Sequence, residues 1–507
     1  MSELSRRSFL EMSGAAAAGA AAPERPNILF LMADQFRYDC LGASGNRIVR
    51  TPNLDRLAAQ SANFANAFVQ APVCVPSRIS FFTGRYPHCH RNRVNYTPCD
   101  PRETLLQKRL QGAGYRTGSV GKLHLSPPTA EHARSTGFDV VQLDDGISRT
   151  DPHSDYVKWR NEKDPKAGVS YNATVKNPAA GVNPFRGEIE YRYTPTAWVG
   201  EKTREILRDF SASGKPFFLY SSFFKPHSPH TVAAPYDSMY SGVDIPLPPP
   251  VDLAHIQTLP KPVRAQILRG RPEYAIDRKR LEWIYRSYYG GVSMVDHEVG
   301  LILDELERSG AARNTIVIFS TDHGDQLLEH GLEGKNLFFE ASVHIPLLMK
   351  FPNRVRPAGY KDLVETVDVL PTLLDFAGIP IPGNCQGRSL ALLTGGGTYE
   401  AREAVFAENI IPEVITGGGL EMPYVPGQGV GGIRHPDSKM VRTGRWKLNY
   451  YPGNGGELYD LSNDPGETRN LYAEAAHARV VVELRQRILD WMITADETEQ
   501  IAPRWLI

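Results

Sequence analysis

Two uninterrupted apolar runs, each followed by an acidic residue, constrain this chain more than any other feature. Residues 27–33 read Asn-Ile-Leu-Phe-Leu-Met-Ala and lead into Asp34, and residues 315–320 read Thr-Ile-Val-Ile-Phe-Ser and lead through Thr321 to Asp322 and His323. Strands without a polar alternation are buried on both faces, as in a parallel sheet covered by helices. The segments between them support that reading. Helical spacing predicts helices over 53–60, 77–83, 104–111 and 196–210, with strands at 115–120, 216–221 and 344–350, and residues 364–376 continue the alternation. A long helical stretch over 278–308 is expected to break or kink at Gly290-Gly291. Alternating strands and helices give an α/β fold.

Two segments depart from this pattern and are expected to be insertions. Residues 126–193 are aromatic and weakly periodic, and 241–275 are Pro-rich. After about residue 395 the texture changes to short antiparallel strands (405–406, 440–443, 446–451) and a closing helix over 480–493, a small α+β subdomain. The expected organisation is therefore a catalytic domain over 25–395 and a carboxy-terminal subdomain over 396–507.

The amino terminus resembles a twin-arginine export signal over residues 1–22. Ser5-Arg6-Arg7-Ser8-Phe9-Leu10 precedes a run of small residues, and Ala20-Ala21-Ala22 offers an A-x-A cleavage site. No run of about 18 apolar residues predicts a membrane span. Lys+Arg and Asp+Glu both number 57, which argues against a nucleic-acid partner. The five cysteines (Cys40, Cys74, Cys89, Cys99, Cys385) include no CxxC pair, so neither a disulfide framework nor a zinc site is expected. Cys89 and Cys99 are read as unpaired thiols, with pairing as the alternative.

Ligands in open α/β sheets bind beyond the carboxyl ends of the strands. Asp34, Gln35, Asp322 and His323 stand there, as oxygen and imidazole donors able to converge on a cation. Oxygen donors suit Ca²⁺ or Mg²⁺, and the imidazole admits Mn²⁺. The plainer alternative for each is a turn or cap residue. A second constellation is Cys74-Val75-Pro76-Ser77-Arg78, followed by Thr83-Gly84-Arg85. Pro76 suits a first helical turn, which puts Cys74 at a helix N-terminus. Arg78 lies one turn on, positioned to hold an oxyanion or the nucleophile. The plainer alternative for Cys74 is a buried thiol.

Cys74-x-Pro76-Ser77-Arg78 with Thr83-Gly84-Arg85 resembles the signature of the formylglycine-dependent sulfatases of the alkaline phosphatase superfamily. Other landmarks fall in family order: residues 25–34, Gly121-Lys122-Leu123-His124, Lys225-Pro226-His227-Ser228-Pro229, Thr321-Asp322-His323-Gly324, Lys335, Glu457-Leu458-Tyr459-Asp460 and Asp464-Pro465-Gly466-Glu467. The resemblance spans about 25–475. It implies a large mixed, mostly parallel sheet sandwiched by helices. It also implies that a maturation enzyme oxidises Cys74 to formylglycine, whose hydrate attacks sulfur with one hydroxyl and expels sulfate with the other. Asp34, Gln35, Asp322 and His323, with the residue at Cys74, would hold one divalent cation, Ca²⁺ first, with Mn²⁺ or Mg²⁺ as alternatives. Lys122 and Lys335 would neutralise sulfate, His124 would assist the diol, and His227 would protonate the leaving oxygen.

Gln35 and His323 depart from the Asp and Asn of many sulfatases. They look more like choline sulfatases, phosphonate monoester hydrolases and, for Asp-His, iduronate-type sulfatases. An amide in place of a carboxylate is expected to make the site one charge less negative. The leading expectation is an exported hydrolase of sulfated saccharides or other small sulfate esters. A phosphonate monoester or phosphodiester hydrolase is the alternative, and a binding protein with an unmodified Cys74 is the reading from another class. Candidate substrate contacts are Tyr156, Trp159, Tyr191, Tyr193 and Trp198; His88, His90, Arg91 and Arg93; and Arg434, His435 and Arg442. Packing or a solvated loop is the favoured alternative for each.

Overall fold

The computed structural model describes residues 25–95, 97–146, 151, 153–163, 174, 182–267, 278–410 and 437–495. The first apolar run forms β1 (Asn27–Asp34), with residues 28–33 fully buried. Its side chains alternate between two separate cores. Ile28, Phe30 and Met32 pack into one, and Leu29, Leu31 and Ala33 into the other. That division is what a strand covered by helices on both faces requires.

Parallel neighbours flank β1 on both sides: β5 (Phe217–Pro226) and β6 (Thr315–Thr321), with Ile28 opposite Phe218 and Ile316. Beyond β5 lie β3 (Arg116–Gly121) and the edge strand β4 (Val140–Leu143), also parallel. Beyond β6 the sheet becomes mixed. Pro346 splits residues 344–350 into β7 (His344–Ile345) and β8 (Leu347–Lys350), because it has no N–H to give to the ladder. β8 runs antiparallel to β6, and both pieces pair antiparallel with β2 (Ala62–Phe68). On its other side β2 pairs with β9 (Ala358–Glu365), which is parallel to it. The result is a nine-stranded, mostly parallel sheet.

A second sheet follows, with four antiparallel strands in the order β10 (Ala404–Ile410), β11 (Asp437–Thr443), β12 (Trp446–Tyr451) and β13 (Gly455–Asp460). The closing helix, Ala478–Ala495, buries Val481, Leu484 and Ile488 against Val441, Leu448 and Leu458.

Some elements differ from expectation. Residues 126–193 are not wholly a surface insertion, since β4 within them completes the main sheet. The helix Arg278–Arg308 runs unbroken for 31 residues. Gly290 does not break it but permits a close approach: a Cβ there would lie 2.7 Å from the Tyr236 carbonyl oxygen. Among the described residues no helix is long and apolar enough to cross a membrane.

Candidate active site

Four adjacent parallel strands, in the order β3, β5, β1, β6, end on the same side of the sheet. At or just beyond their carboxyl ends stand Lys122 and His124, His227, Asp34 and Gln35, and Asp322 and His323, respectively. Gly121 closes β3 at φ 85°, and a Cβ there would lie 2.1 Å from the Ser222 carbonyl oxygen. Only glycine lets the chain turn this near β5, where the Lys122 N–H donates to that same oxygen at 3.0 Å. Gln35 (φ 63°) and His124 (φ 56°) are non-glycine residues in the left-handed region. Such strain concentrates at functional sites.

Cys74 begins the helix Cys74–Thr83, all of whose residues are buried. Asn95 Oδ1 accepts from the Val75 N–H at 3.0 Å and so ties off one free donor of its first turn. Ligand atoms of Asp34, Cys74, Asp322 and His323 lie within 4.8 Å of one another, all buried, and Cys74 Sγ is 3.2 Å from His323 Nε2. His323 Nδ1 lies 2.8 Å from the Gly324 carbonyl oxygen. That bond turns Nε2 toward the cluster, the orientation a metal-ligating imidazole needs; burial would lower the ring's pKa, but Asp322 and Cys74 raise it. Asp34 Oδ1 is buried with no hydrogen-bond partner. A buried carboxylate oxygen without a donor is costly, and a cation answers it. The donor set therefore fits a divalent ion.

Arg78 is held by five acceptors. Its guanidinium donates to Asp322 Oδ2 (2.8 Å), Asp34 Oδ2 (3.0 Å), the Lys122 carbonyl (2.7 Å), Tyr220 Oη (2.8 Å) and Ser222 Oγ (3.0 Å). The guanidinium braces the two acids while remaining within electrostatic reach of Cys74. The reason is its full burial between them, where a planar fork serves two carboxylates at once.

Lys122 Nζ pairs with Asp34 Oδ2 at 2.6 Å. Lys335 Nζ donates to Gln35 Oε1 at 3.0 Å and to His227 Nε2 at 2.7 Å. His227 Nδ1 lies 2.6 Å from the Ser228 carbonyl and so carries the proton. Leu123 and His124 both donate their N–H to Asp145 Oδ1, at 2.8 and 2.9 Å. Burial would raise the Cys74 thiol, but Lys335, Lys122, His323 and a hydrogen bond from His124 hold it well below its ordinary range. Burial and Cys74 would likewise raise Asp34, and Lys122, His227 and Arg78 overcome them to keep it far below a normal carboxyl. Burial and Lys335 lower His227. Burial opposes charge on Lys122, yet Asp34 and Cys74 raise it.

Asp325, Asp145, Tyr220 and Asn409 were not anticipated. Asp325 accepts from Gln35 Nε2, and Asn409 donates to the Asn336 carbonyl at 2.7 Å, beside Lys335. For Asp325 the signal was its place three residues after Asp322 in one loop. The other three carry no local signal.

Most candidate substrate contacts serve the scaffold. Tyr156 and Trp198 are fully buried, in edge-to-face contact with each other. Tyr191 Oη donates to Glu298 Oε1. Trp159 and Tyr193 pack against the same core. His88 and Arg93 pair with Glu408, His90 bonds to Ser80, and Arg91 pairs with Asp100. Arg442 lies over Phe68 and 3.7 Å from Glu340. Arg434 and His435, like the export signal, lie outside the described residues. All five cysteines are free thiols.

The sulfatase family model matches residues 26–379, and the twin-arginine translocation signal model matches residues 3–23. The chain is 30% identical to "Arylsulfatase" of Clostridium perfringens over 494 residues, 92% of this chain and 94% of that one. It is 28% identical to "Multifunctional alkaline phosphatase superfamily protein PehA" of Trinickia caryophylli over 94% of this chain and 96% of that one. Among solved structures it resembles the phosphonate monoester hydrolase of Agrobacterium radiobacter, with a TM-score of 0.80 and 27% identity over 93% of this chain and 96% of the other. The chain thus belongs to the sulfatase family of the alkaline phosphatase superfamily, as an exported sulfuric ester hydrolase.

Proposed function

We propose that the chain hydrolyses sulfated saccharides and related small sulfate monoesters, using a formylglycine at position 74 and one Ca²⁺ ion held by Asp34, Gln35, Asp322, His323 and the residue at 74. The observation that carries this reading is Cys74 at a helix N-terminus, inside a buried cluster of acids and imidazole flanked by Lys122 and Lys335. Export supports the saccharide assignment, because sulfated sugars are anions that do not cross a bilayer, and an exported hydrolase meets them outside. Cys74 is 1% exposed, so the maturation enzyme must reach it before the chain folds. Residues 25–395 are taken as the catalytic domain and 396–507 as a subdomain packed on it.

When bound, the cation supplies polarisation of a sulfate oxygen and lowers the pKa of the nucleophile. Position 74, as hydrated formylglycine, would supply one hydroxyl to attack sulfur as the alcohol leaves and a second to release sulfate. The chain's own groups do the rest. Lys122 and Lys335 balance the anion from two sides, and Arg78 keeps both acids in place. His124 faces position 74 and takes the proton of the second hydroxyl. His227 Nε2 accepts from the Lys335 ammonium, so a proton taken up there would be released from the same nitrogen to the leaving oxygen.

Mass spectrometry of the peptide bearing Cys74, from a host that installs formylglycine, tests this directly. The expected product is the aldehyde. Cys74→Ala should abolish aryl sulfate turnover without changing the melting temperature. A chain that turns over at wild-type rate with alanine there removes position 74 from the mechanism. A second reading has its own support: the 0.80 likeness to a phosphonate monoester hydrolase. Turnover of aryl phosphonate monoesters well above that of aryl sulfates would favour it.

A further inference from the structure

The amide of Gln35 has two chemically different ends, and only its oxygen can serve a cation. Gln35 is 1% exposed, and its backbone is fixed on both sides: its N–H donates to Asp322 Oδ1 at 3.1 Å, and Tyr288 Oη donates to its carbonyl at 2.6 Å. Its carboxamide meets two partners with no ambiguity of role. The Asp325 carboxylate only accepts, and it takes the Nε2 end. The Lys335 ammonium only donates, and it takes the Oε1 end. Reversing the amide would set oxygen against carboxylate and N–H against ammonium.

Asp325 is itself locked. It is 1% exposed, and its Oδ1 accepts from the Leu327 N–H at 2.8 Å and the Gly334 N–H at 3.2 Å. Arg37 Nη1 donates to its carbonyl at 3.0 Å. Oδ2 is thereby turned toward Gln35. The amide at position 35 leaves the site one charge short of a carboxylate there. The structure places a carboxylate directly behind the amide.

We propose that Asp325 is a positioning residue that fixes the Gln35 carbonyl oxygen toward the cation pocket and restores, one side chain further out, the negative charge that an amide at position 35 gives up. This rests on the cation site proposed above. In Asp325→Asn, Oδ1 stays on its two backbone donors, so Nδ2 faces Gln35 Nε2, donor against donor, and the glutamine amide reverses. The exchange Gln35→Glu/Asp325→Asn rebuilds the contact with its polarity inverted and the total charge unchanged.

The experiment needs no turnover. Full-length protein loaded with Ca²⁺ alone, or with Mn²⁺ alone, is titrated with a chelator, and retained metal is read by elemental analysis. Asp325→Asn should release its metal at chelator concentrations about 10- to 100-fold lower than wild type. The exchange variant should hold it at least as well as wild type, and Gln35→Met should not. Should Asp325→Asn fail to fold, the comparison of the exchange variant with Gln35→Met still decides. Equal retention by Asp325→Asn and wild type would overturn the inference, as would an exchange variant no better than Gln35→Met. A wild-type protein that retains no divalent ion would overturn this inference and the cation site together, which separates the two failures.

Discussion

Arg78 shows how far the chemistry of one side chain depends on its surroundings. Exposed, an arginine one turn from a cysteine would be a ready anion clamp. Here both carboxylates it bridges, Asp34 and Asp322, are fully buried, as is Arg78 itself. Removing one partner of such a group leaves uncompensated charge, at a cost of about 3–5 kcal/mol. Arg78→Met is therefore expected to lower unfolding stability by that order in urea titrations. A loss below about 1 kcal/mol would mean that the acids need no brace. The position of Arg78 beside the site was legible from helical spacing. Its contact with the two acids was not, because spacing places a side chain on a helix face without naming what lies opposite it.

At the level of elements, the helix bearing Cys74 is anchored at its far end by the second sheet. It is followed by the short helix Pro87–His90, where His88 donates its N–H (2.8 Å) and turns Nδ1 (2.7 Å) to Glu408 Oε1 of β10. Arg93 and Lys439 converge on the same glutamate. Burial alone would lower His88, but hydrogen bonds with Cys89 and Glu408 raise it to about 9. The folded state then holds one more proton than the unfolded state between about pH 6.5 and 9. Its stabilisation is fully present below pH 6.5 and lost as pH rises through 9. His88→Asn should flatten the slope of unfolding free energy over that window, and an unchanged slope would exclude the pair as its source. The element boundaries missed from sequence have physical reasons. β4 is only four residues long, too short for a period to show. β9 is half exposed at the sheet edge and carries Lys361 and Asp362. The unbroken helix through Gly290 was hidden because a glycine needed for close packing and one that ends a helix look the same in sequence.

Across the whole molecule, the ends of β1 and β6 and the helix bearing Cys74 meet at the acid and imidazole cluster. A ligand that binds the folded chain and not the unfolded one adds RT ln(1 + [L]/Kd) to stability, about 2.7 kcal/mol at 100 Kd. Stripping divalent metal from the purified protein should therefore lower its melting temperature, and restoring Ca²⁺ should recover it. Calorimetry showing no difference would remove the cation from the fold's support. What the sequence determined by itself was the parallel core, the strand ends as the place of chemistry, and the family of the catalytic residues. Those follow from local apolar runs and from short motifs in which neighbouring residues act together. Only the tertiary structure decided that residues 344–350 run against the other strands, that Arg78 faces the two acids, and that Asp325 turns the Gln35 amide. Each of these rests on partners brought together across the chain. Arg78 and Asp322 are 244 positions apart, and Gln35 and Asp325 are 290, a separation at which no pattern in a single sequence can pair them.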